Sequence, residues 1–573
     1  MNKICKNCTN NFEISSEDSE FYSGLNLPEP TFCPDCRQQR RLAWRNEYRL
    51  YKRKCDATGV EMLSVFSPDK PYTVYNNDYW YSDKWNAKSY AMDFDFSKSF
   101  FEQYQILMQK VPQLARSTMN NQNCDFVNQC GWSKDCYLTC EADENELCAY
   151  SNYIYNCKTC FDCTHSVKNE LCYECIDCRQ CYNLKFSQNC QNSSNSWFLK
   201  NCIGCMECFG SVNLRNKSYY FCNEKCSKEE YLQKLATVNL TSYSSLQSIY
   251  GWFLGFSQNF PHKSMNGVQN ENSTGDYLYQ TSNCTECYDT YNAKDCKFAF
   301  NARNLKKVYD MTVFGGPGGV EFSCDNHEIG DSIRNIYYSD QIWSGCYNVY
   351  YSKLCNNNCH DIFGCVGLRH AEYCILNKQY TKEEYENLKT KIIQHIQNLG
   401  EFGEFPPISI SPFSYNETMA QMYFPLSKEQ IQSFPLDKGG LRGIKWKDDL
   451  IIIPQIDKII PGNMIPDTIS EIPDDILNWP IQCEISKRPF KIIPSELKFY
   501  RDQNLPIPHL HPEERFNKRM SLRNPRKLWT RNCMKCNAEI QTTYSPEEEI
   551  ACNSKLQRRI VYCENCYINQ ACL

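Results

Sequence analysis

Several features are scarce or missing in this chain of 573 residues, and each absence narrows the reading. No run of about 18 apolar residues occurs, so no membrane-spanning helix is expected. The opening MNKICKNC contains no apolar signal-peptide core, which favours a cytoplasmic, reducing setting. Histidine is rare, at 8 residues, and His360 and His370 sit in no zinc-protease pattern. The glycine-rich FGGPGG (314–319) lacks the Lys-Ser/Thr of a phosphate-binding loop and reads as a turn. No paired-carboxylate motif supports an enzyme acting on carbohydrate in a solenoid groove, which stays the weakest alternative. Cys324 and His327, close together in SCDNH, suggest at most a coil cysteine beside a surface histidine rather than a nucleophile pair. A net charge of −5 points by itself to neither nucleic acid nor membrane. A binding protein is favoured over an enzyme.

What is abundant is cysteine, with 39 residues, and aromatics, with 39 Tyr and 30 Phe. In a long reduced chain, cysteines are metal ligands or small buried apolar groups. Both kinds are legible. Cys5-x2-Cys8 and Cys33-x2-Cys36 form two knuckles whose four thiolates suit one tetrahedral zinc ion. Pro34 stands where a helix should begin, so the second pair is expected at a helix N-terminus, a treble-clef arrangement. Cys533, Cys536, Cys563 and Cys566 repeat the pattern near the C-terminus. Two structural zinc ions are expected.

The two ends are also copies. A shift of 478 positions lays Cys5 on Cys483, Phe21-Tyr22 on Phe499-Tyr500, Asn26-Leu27-Pro28 on Asn504-Leu505-Pro506 and Cys55 on Cys533. Each end is therefore a tandem pair of modules, one intact and one degenerate. Cys483, Ser486, His511 and Glu514 mark the degenerate C-terminal copy, either a residual weak site or a ribbon without metal.

Between the ends, LCYECIDCRQCYNLKFSQNC (171–190) places Cys172, Cys175, Cys178 and Cys181 three apart. A ferredoxin run would end in Cys-x3-Cys-Pro, which is missing, so packing is favoured over an iron–sulfur cluster or further zinc. Cys136, Cys157 and Cys178 are each 21 apart, as are Cys160, Cys181 and Cys202. A period near 21 predicts a solenoid of two or three short strands per coil, with cysteine ladders inside. LRNKSYYFCNEKCSKEEY (214–231) matches LRHAEYCILNKQYTKEEY (368–385), so the solenoid is duplicated into halves of roughly five coils. Ser227 with Glu230, and Thr381 with Glu384, predict capping boxes that open closing helices.

The fold class expected is mainly β: a Cys-rich, right-handed β-helix-like solenoid in two halves with capping helices, flanked by tandem zinc-ribbon modules. The expected segments are an intact ribbon with a basic helix (1–54) and a degenerate ribbon with a connecting helix (55–115). Solenoid half one with helix and loop (116–275) and half two with helix (276–398) follow. A Pro/Ile-rich linker that wraps other domains (399–480), a degenerate ribbon with a basic helix (481–531) and an intact ribbon (532–573) complete the chain.

Two basic helices accompany the modules. Arg37, Arg41, Arg45 and Arg49 lie four apart, on one helical face, joined by Arg40 and Arg53. The copy carries Arg515, Lys518, Arg519, Arg523, Arg526, Lys527 and Arg531. Such faces suit phosphate contacts, so nucleic acid, including structured RNA, is one expected partner. The other readings are a solvated face or contact with acidic loops of the same chain. A protein partner on the solenoid wall is the alternative function.

CKNC…EFY…LP…CPDCRQQRR resembles the treble-clef-type probable zinc-ribbon domain of uncharacterised bacterial proteins. CMKCNAEIQTTYSPEE…VYCENCY, with NPRKLW and SPFSYNETMAQMYFPL upstream, is similar to large bacterial proteins with zinc ribbons at both ends. The resemblance implies metal at the eight terminal cysteines and no established activity.

Overall fold

The computed structural model describes residues 1–433, 443–448, 458–547, 549–552 and 555–571. Mainly β structure dominates, and a β-solenoid fills the centre of the chain. The chain divides into two compact units, each built from segments distant in sequence. One unit comprises 1–116, 265–450 and 526–528; the other comprises 117–264, 451–525 and 529–573. Each unit therefore joins one solenoid half to the modules from one end of the chain.

The 117–264 solenoid is built on a triplet. Its backbone turns to positive φ at Leu171, Glu174, Asp177, Gln180 and Asn183, and the same three-residue step runs along the half. The residue after each such turn points inward: Cys172, Cys175, Cys178 and Cys181 are at most 2% exposed. Asn and Asp tolerate the left-handed region best, which accounts for Asn189, Asn192, Asn195 and Asn201 at these turns.

The coil is 12 residues long, not 21: Asn152 pairs in parallel with Thr164 on one side and Cys140 on the other. Four three-residue sides thus replace the expected two or three strands, and each half stacks more than the five coils expected. Both 12 and 21 are multiples of the triplet, and cysteine spacing alone does not choose between them. The true ladders step by 12, as in Cys124, Cys136, Cys148, Cys160 and Cys172, stacked at the ~4.8 Å strand spacing.

The tube is too narrow for large side chains, and its inward positions also need hydrogen bonds. The Cys175 Sγ lies 3.5 Å from both the Tyr173 and Leu184 carbonyl oxygens. Cys178 repeats the pattern at 3.3 and 3.5 Å, to Ile176 and Ser187. Ser151 Oγ makes the equivalent pair of bonds, to Ala149 and Cys160. A thiol is thus a compact, weak donor that also contributes apolar burial.

The other solenoid half keeps the parallel stack but varies coil length. The register is 12 at Gly275–Cys287, 15 at Leu305–Val320 and 13 at Arg334–Tyr347. The longer coil contains FGGPGG, whose Pro317 and Gly318 form a turn, as expected. Its core is more aliphatic, with Ile333, Ile336, Val349 and Ile362 at most 2% exposed.

Each half ends in a hairpin and a helix. Helices Lys228–Ala236 and Lys382–Asn398 open with the capping boxes Ser227/Glu230 and Thr381/Glu384. Residues 251–275 are not one loop. The helix Tyr243–Ser257, capped by Ser242, occupies the first part and buries Leu246, Tyr250 and Phe253. Spacing of these three at one helical face overrides the glycines at 251 and 255, where an added Cβ would meet open space.

The linker packs where it is described. Ile408, Tyr415, Met419 and Ala420 cluster with Leu42 and Ala43, and Ile465, Ile469, Ile472 and Ile476 join the core of the other unit. The rest of the segment, 434–442 and 449–457, lies outside the described residues.

If the inward thiols are sealed packing groups, thiol alkylation of the native protein leaves Cys175 and Cys178 unmodified until denaturant is added. Mass spectrometry of the labelled peptides checks this. Cys178→Ser keeps both carbonyl bonds and folds, whereas Cys178→Phe overfills the tube at a cost of about 1–3 kcal/mol or more. Native-state labelling of Cys178, or an indifferent Phe variant, contradicts this.

Candidate metal centres

The intact N-terminal module begins with the hairpin Asn2–Ile4 and Asn11–Glu13, which carries Cys5 and Cys8 in its turn. The knuckle closes through Thr9 N–H to the Cys5 carbonyl (3.0 Å), with Thr9 at φ 64°. Helix Pro34–Leu42 follows, with Cys33 at its N-cap and Pro34 in the first turn. Cys33 and Cys36 thereby meet the knuckle at a helix N-terminus, as expected. All four Sγ atoms lie within 4.8 Å of one another, and Cys8 and Cys33 are 3.7 Å apart. The C-terminal set repeats this: Cys533, Cys536, Cys563 and Cys566 converge within 4.8 Å, and Cys536 and Cys563 are 3.7 Å apart. Four sulfurs around one tetrahedral ion at ~2.3 Å would sit about 3.8 Å apart, so both sets fit a metal ion.

In each set N–H donors reach the sulfurs, and one sulfur of the set is held as a thiolate, while Cys8, Cys36, Cys563 and Cys566 are pushed up. The Cys33 N–H donates to Cys5 Sγ (3.2 Å), the Cys563 N–H to Cys533 Sγ (3.3 Å), and the Asn7 amide to Cys36 Sγ (3.2 Å). The Cys36 thiol beside Cys33 lowers the latter to about 5. At Cys533 burial raises the pKa, but the N–H groups of Cys536 and Cys563 outweigh it and hold the thiol at about 6. The two sites differ in exposure: Cys5, Cys33 and Cys36 are buried, whereas Cys536 is exposed and Cys563 and Cys566 are half-buried.

The degenerate copies keep the backbone and lose the ligands. Knuckles at Cys55 and Cys483 close through Gly59 N–H and Lys487 N–H, with positive φ at both. His511 N-caps helix Pro512–Met520 by accepting the Glu513 N–H at Nδ1 (3.2 Å). Among the described residues Cys483, Ser486, His511 and Glu514 do not converge as the intact sets do.

The arginines occupy a different setting from the one a nucleic-acid face requires. Arg37 Nε bonds Asp310 (2.9 Å), and Arg41 Nη1 pairs with Asp325 and lies 3.6 Å from Asp310. Arg45 pairs with Glu47 and Glu328 and approaches His327 Nε2 (3.5 Å). Arg40 Nε donates to the Pro406 carbonyl (3.1 Å). All four guanidinium-bearing residues are at most 7% exposed.

The second unit copies this. Arg515 pairs with Asp162, Arg519 with Asp162 (2.8 Å) and Glu174 (3.4 Å), and Arg523 with Asp177 (3.2 Å). Even the accessory hydroxyl recurs: Arg41 Nε donates to Thr312 and Arg519 Nε to Thr164. These carboxylates stand at the positive-φ corners of the solenoid. Contact with acidic loops of the same chain thus describes Arg37, Arg41, Arg45, Arg515, Arg519 and Arg523.

The remaining basic residues have local settings. Arg49 N–H bonds the Asn46 side chain, Arg53 pairs with Asp56, and Arg526 with Asp289 (3.0 Å). Arg531 Nη2 lies 3.5 Å from Met534 Sδ, and Lys518 Nζ 2.8 Å from Gln247. Lys518 and Lys527 are exposed.

Cys324 and His327 offer no reactive pair. Both are at most 1% exposed, and His327 Nδ1 is bonded to Asp340, which also binds Lys353. The histidine expected on the surface is thus interior, because it continues a ladder with Asp340 and Lys353 in successive coils.

No known family model matches the chain, and no curated protein matches it in sequence. The metal assignment consequently rests on geometry.

Removing Arg41 takes away the guanidinium paired with buried Asp325 and leaves Asp310 to Arg37 alone. Arg41→Met is expected to cost about 3–5 kcal/mol in the unfolding of its unit. Denaturant titration followed by tryptophan fluorescence measures it; a loss below about 1 kcal/mol would show the pairs to be incidental.

Proposed function

We propose that the protein is a non-catalytic binding scaffold whose two terminal four-cysteine sites hold structural zinc. The observation that supports this is the convergence of two four-sulfur sets, from knuckles and helix N-termini, at the separations of a tetrahedral ion. Four thiolates with no open position suit a structural site rather than a catalytic one. When bound, the ion would cross-link a hairpin to a helix that too few apolar residues hold otherwise. In the N-terminal module that core is Phe12, Ile14 and Phe32 beside the ligands themselves.

The solenoid supplies the scaffold's surface. Its walls carry regular polar ladders, among them Lys158 with Glu146 (3.4 Å), Asn183 with Asn195 (3.0 Å) and Asn335 with Asn348 (2.9 Å). A protein partner reading such a wall is favoured here over nucleic acid, because six arginines, four on the two short helices and Arg45 and Arg523 just past their ends, already neutralise carboxylates of their own chain.

Elemental analysis of protein purified under reducing conditions is expected to give close to two zinc ions per chain and little iron. Cys8→Ser and Cys536→Ser should each remove one. Metal-free protein should lose hydrogen-exchange protection in the hairpin 2–13 and in strand Val561–Tyr562. Zinc near zero, or iron in proportion to the central cysteines, would refute the proposal.

A further inference from the structure

The wall of the 276–398 solenoid half holds a buried group that neither the metal sites nor the arginine pairs account for. His327, Asp340 and Lys353 fill one slot in three successive coils, between Thr312 and Val366. His327 and Asp340 are at most 1% exposed, and the Lys353 side chain is 3% exposed. Neighbours in one slot sit ~4.8 Å apart, so the lysine bends back onto the aspartate of the coil before it. The Asp340 carboxyl divides its oxygens: Oδ1 accepts from His327 Nδ1, and Oδ2 faces Lys353 Nζ. The histidine tautomer follows from its other side, where Arg45 Nη1 stands 3.5 Å from Nε2. A guanidinium only donates, so Nε2 accepts and Nδ1 carries the proton.

Lys353 is short of acceptors. An ammonium carries three N–H donors. Among the described residues, Asp340 Oδ2 is the one acceptor Lys353 reaches. Donors left unmet in a dry wall are costly. Lys70 of the same unit shows the contrast. Its Nζ bonds both the Pro412 carbonyl (2.7 Å) and Glu417 Oε2 (2.6 Å), and that oxygen also accepts the Ser414 N–H (2.7 Å). Lys70 and Glu417 form a supported ion pair, whereas Lys353 and Asp340 Oδ2 have only each other.

We propose that Lys353 and Asp340 condense into an intramolecular isopeptide bond, so that two adjacent coils of the folded chain are covalently cross-linked. Burial acts to raise the Asp340 pKa, but Lys353 and His327 beside it hold it below the usual carboxylate range, so the pair begins as ammonium and carboxylate. The ammonium passes one proton to Oδ2. The amine lone pair then forms the Nζ–Cγ bond, and the Cγ–Oδ2 bond breaks as a second N–H proton moves to the departing oxygen. One water leaves, and the amide keeps one N–H and Oδ1. Nothing is oxidised or reduced. The His327 Nδ1–H already points at Oδ1, the oxygen that carries charge in the tetrahedral intermediate and becomes the amide carbonyl. Holding both partners in one slot removes the entropy cost of bringing them together. The product nitrogen needs one acceptor rather than three.

The test is mass spectrometry of the full-length protein, denatured and stripped of metal under reducing conditions. The wild type should be one water lighter than its sequence. Trypsin should fail to cut after Lys353, and the resulting peptide should give no backbone fragments between positions 340 and 353, because that stretch is closed into a ring. Lys353→Met and Asp340→Ala should each restore the full mass, and His327→Leu should leave most chains uncondensed. The Lys70–Glu417 pair should stay open in every variant. A wild type at its full sequence mass, or a missing water that maps elsewhere in the chain, overturns the proposal. If the variants do not fold, the wild-type mass and its fragment map decide alone.

Discussion

A ladder of buried arginine–carboxylate pairs holds each unit together. In both, three arginines spaced four residues apart meet a row of acids at the corners of a solenoid; the helix carries the first two and ends before the third, so the expected single helical face through Arg45 and Arg49 does not form. Each side needs the other. Asp310 and Asp325 would be uncompensated in the wall without Arg37 and Arg41, and the guanidiniums would be stranded without them. Buried pairs of this kind contribute little net stability but make misplacement expensive. Asp162 bridging Arg515 and Arg519, with Thr164 and Thr312 in matching supporting roles, shows one docking scheme used twice.

Metal and docking are separable in this design. At the N-terminus the docking helix Pro34–Leu42 starts at the metal ligands, so the same turn that gathers sulfur also aims the arginines. At the C-terminus helix Pro512–Met520 belongs to the copy that has lost its ligands. Local pairs tie the knuckle down there instead, Arg488 to Glu513 of the helix and Glu484 to His509 just before it. The intact sulfur set has moved to the following module, whose strand Val561–Tyr562 pairs with His262–Lys263. One module in each tandem pair keeps a site, and the other keeps only its shape.

Much of this was legible in the chain. The terminal cysteine spacing gave the sulfur sets, the 478-residue shift gave the copied modules, and the Ser/Thr-x-x-Glu pairs gave the closing helices. The three-residue step of Cys172 to Cys181 was also visible, but coil length was not. Ladder slots accept Cys, Ser, Leu and Ala alike, so a cysteine count follows a composition rather than a register. The alternating Lys134, Glu146, Lys158 and Glu170, 12 apart on one wall, carry the true period in charge instead. The fate of the arginines was hidden for a different reason: Asp310 lies 273 positions downstream of Arg37 and Asp325 lies 284 downstream of Arg41, and local pattern holds no information about such pairing.

A double-mutant cycle between Arg519 and Asp162 tests the central constraint most directly. Arg519→Met, Asp162→Asn and the combined variant would be compared in denaturant unfolding. A coupling of about 2 kcal/mol or more, with the double variant recovering much of what either single loses, is the predicted result. Additive losses, with no coupling beyond about 0.5 kcal/mol, would mean that the solenoid and its modules are held together by something other than this ladder.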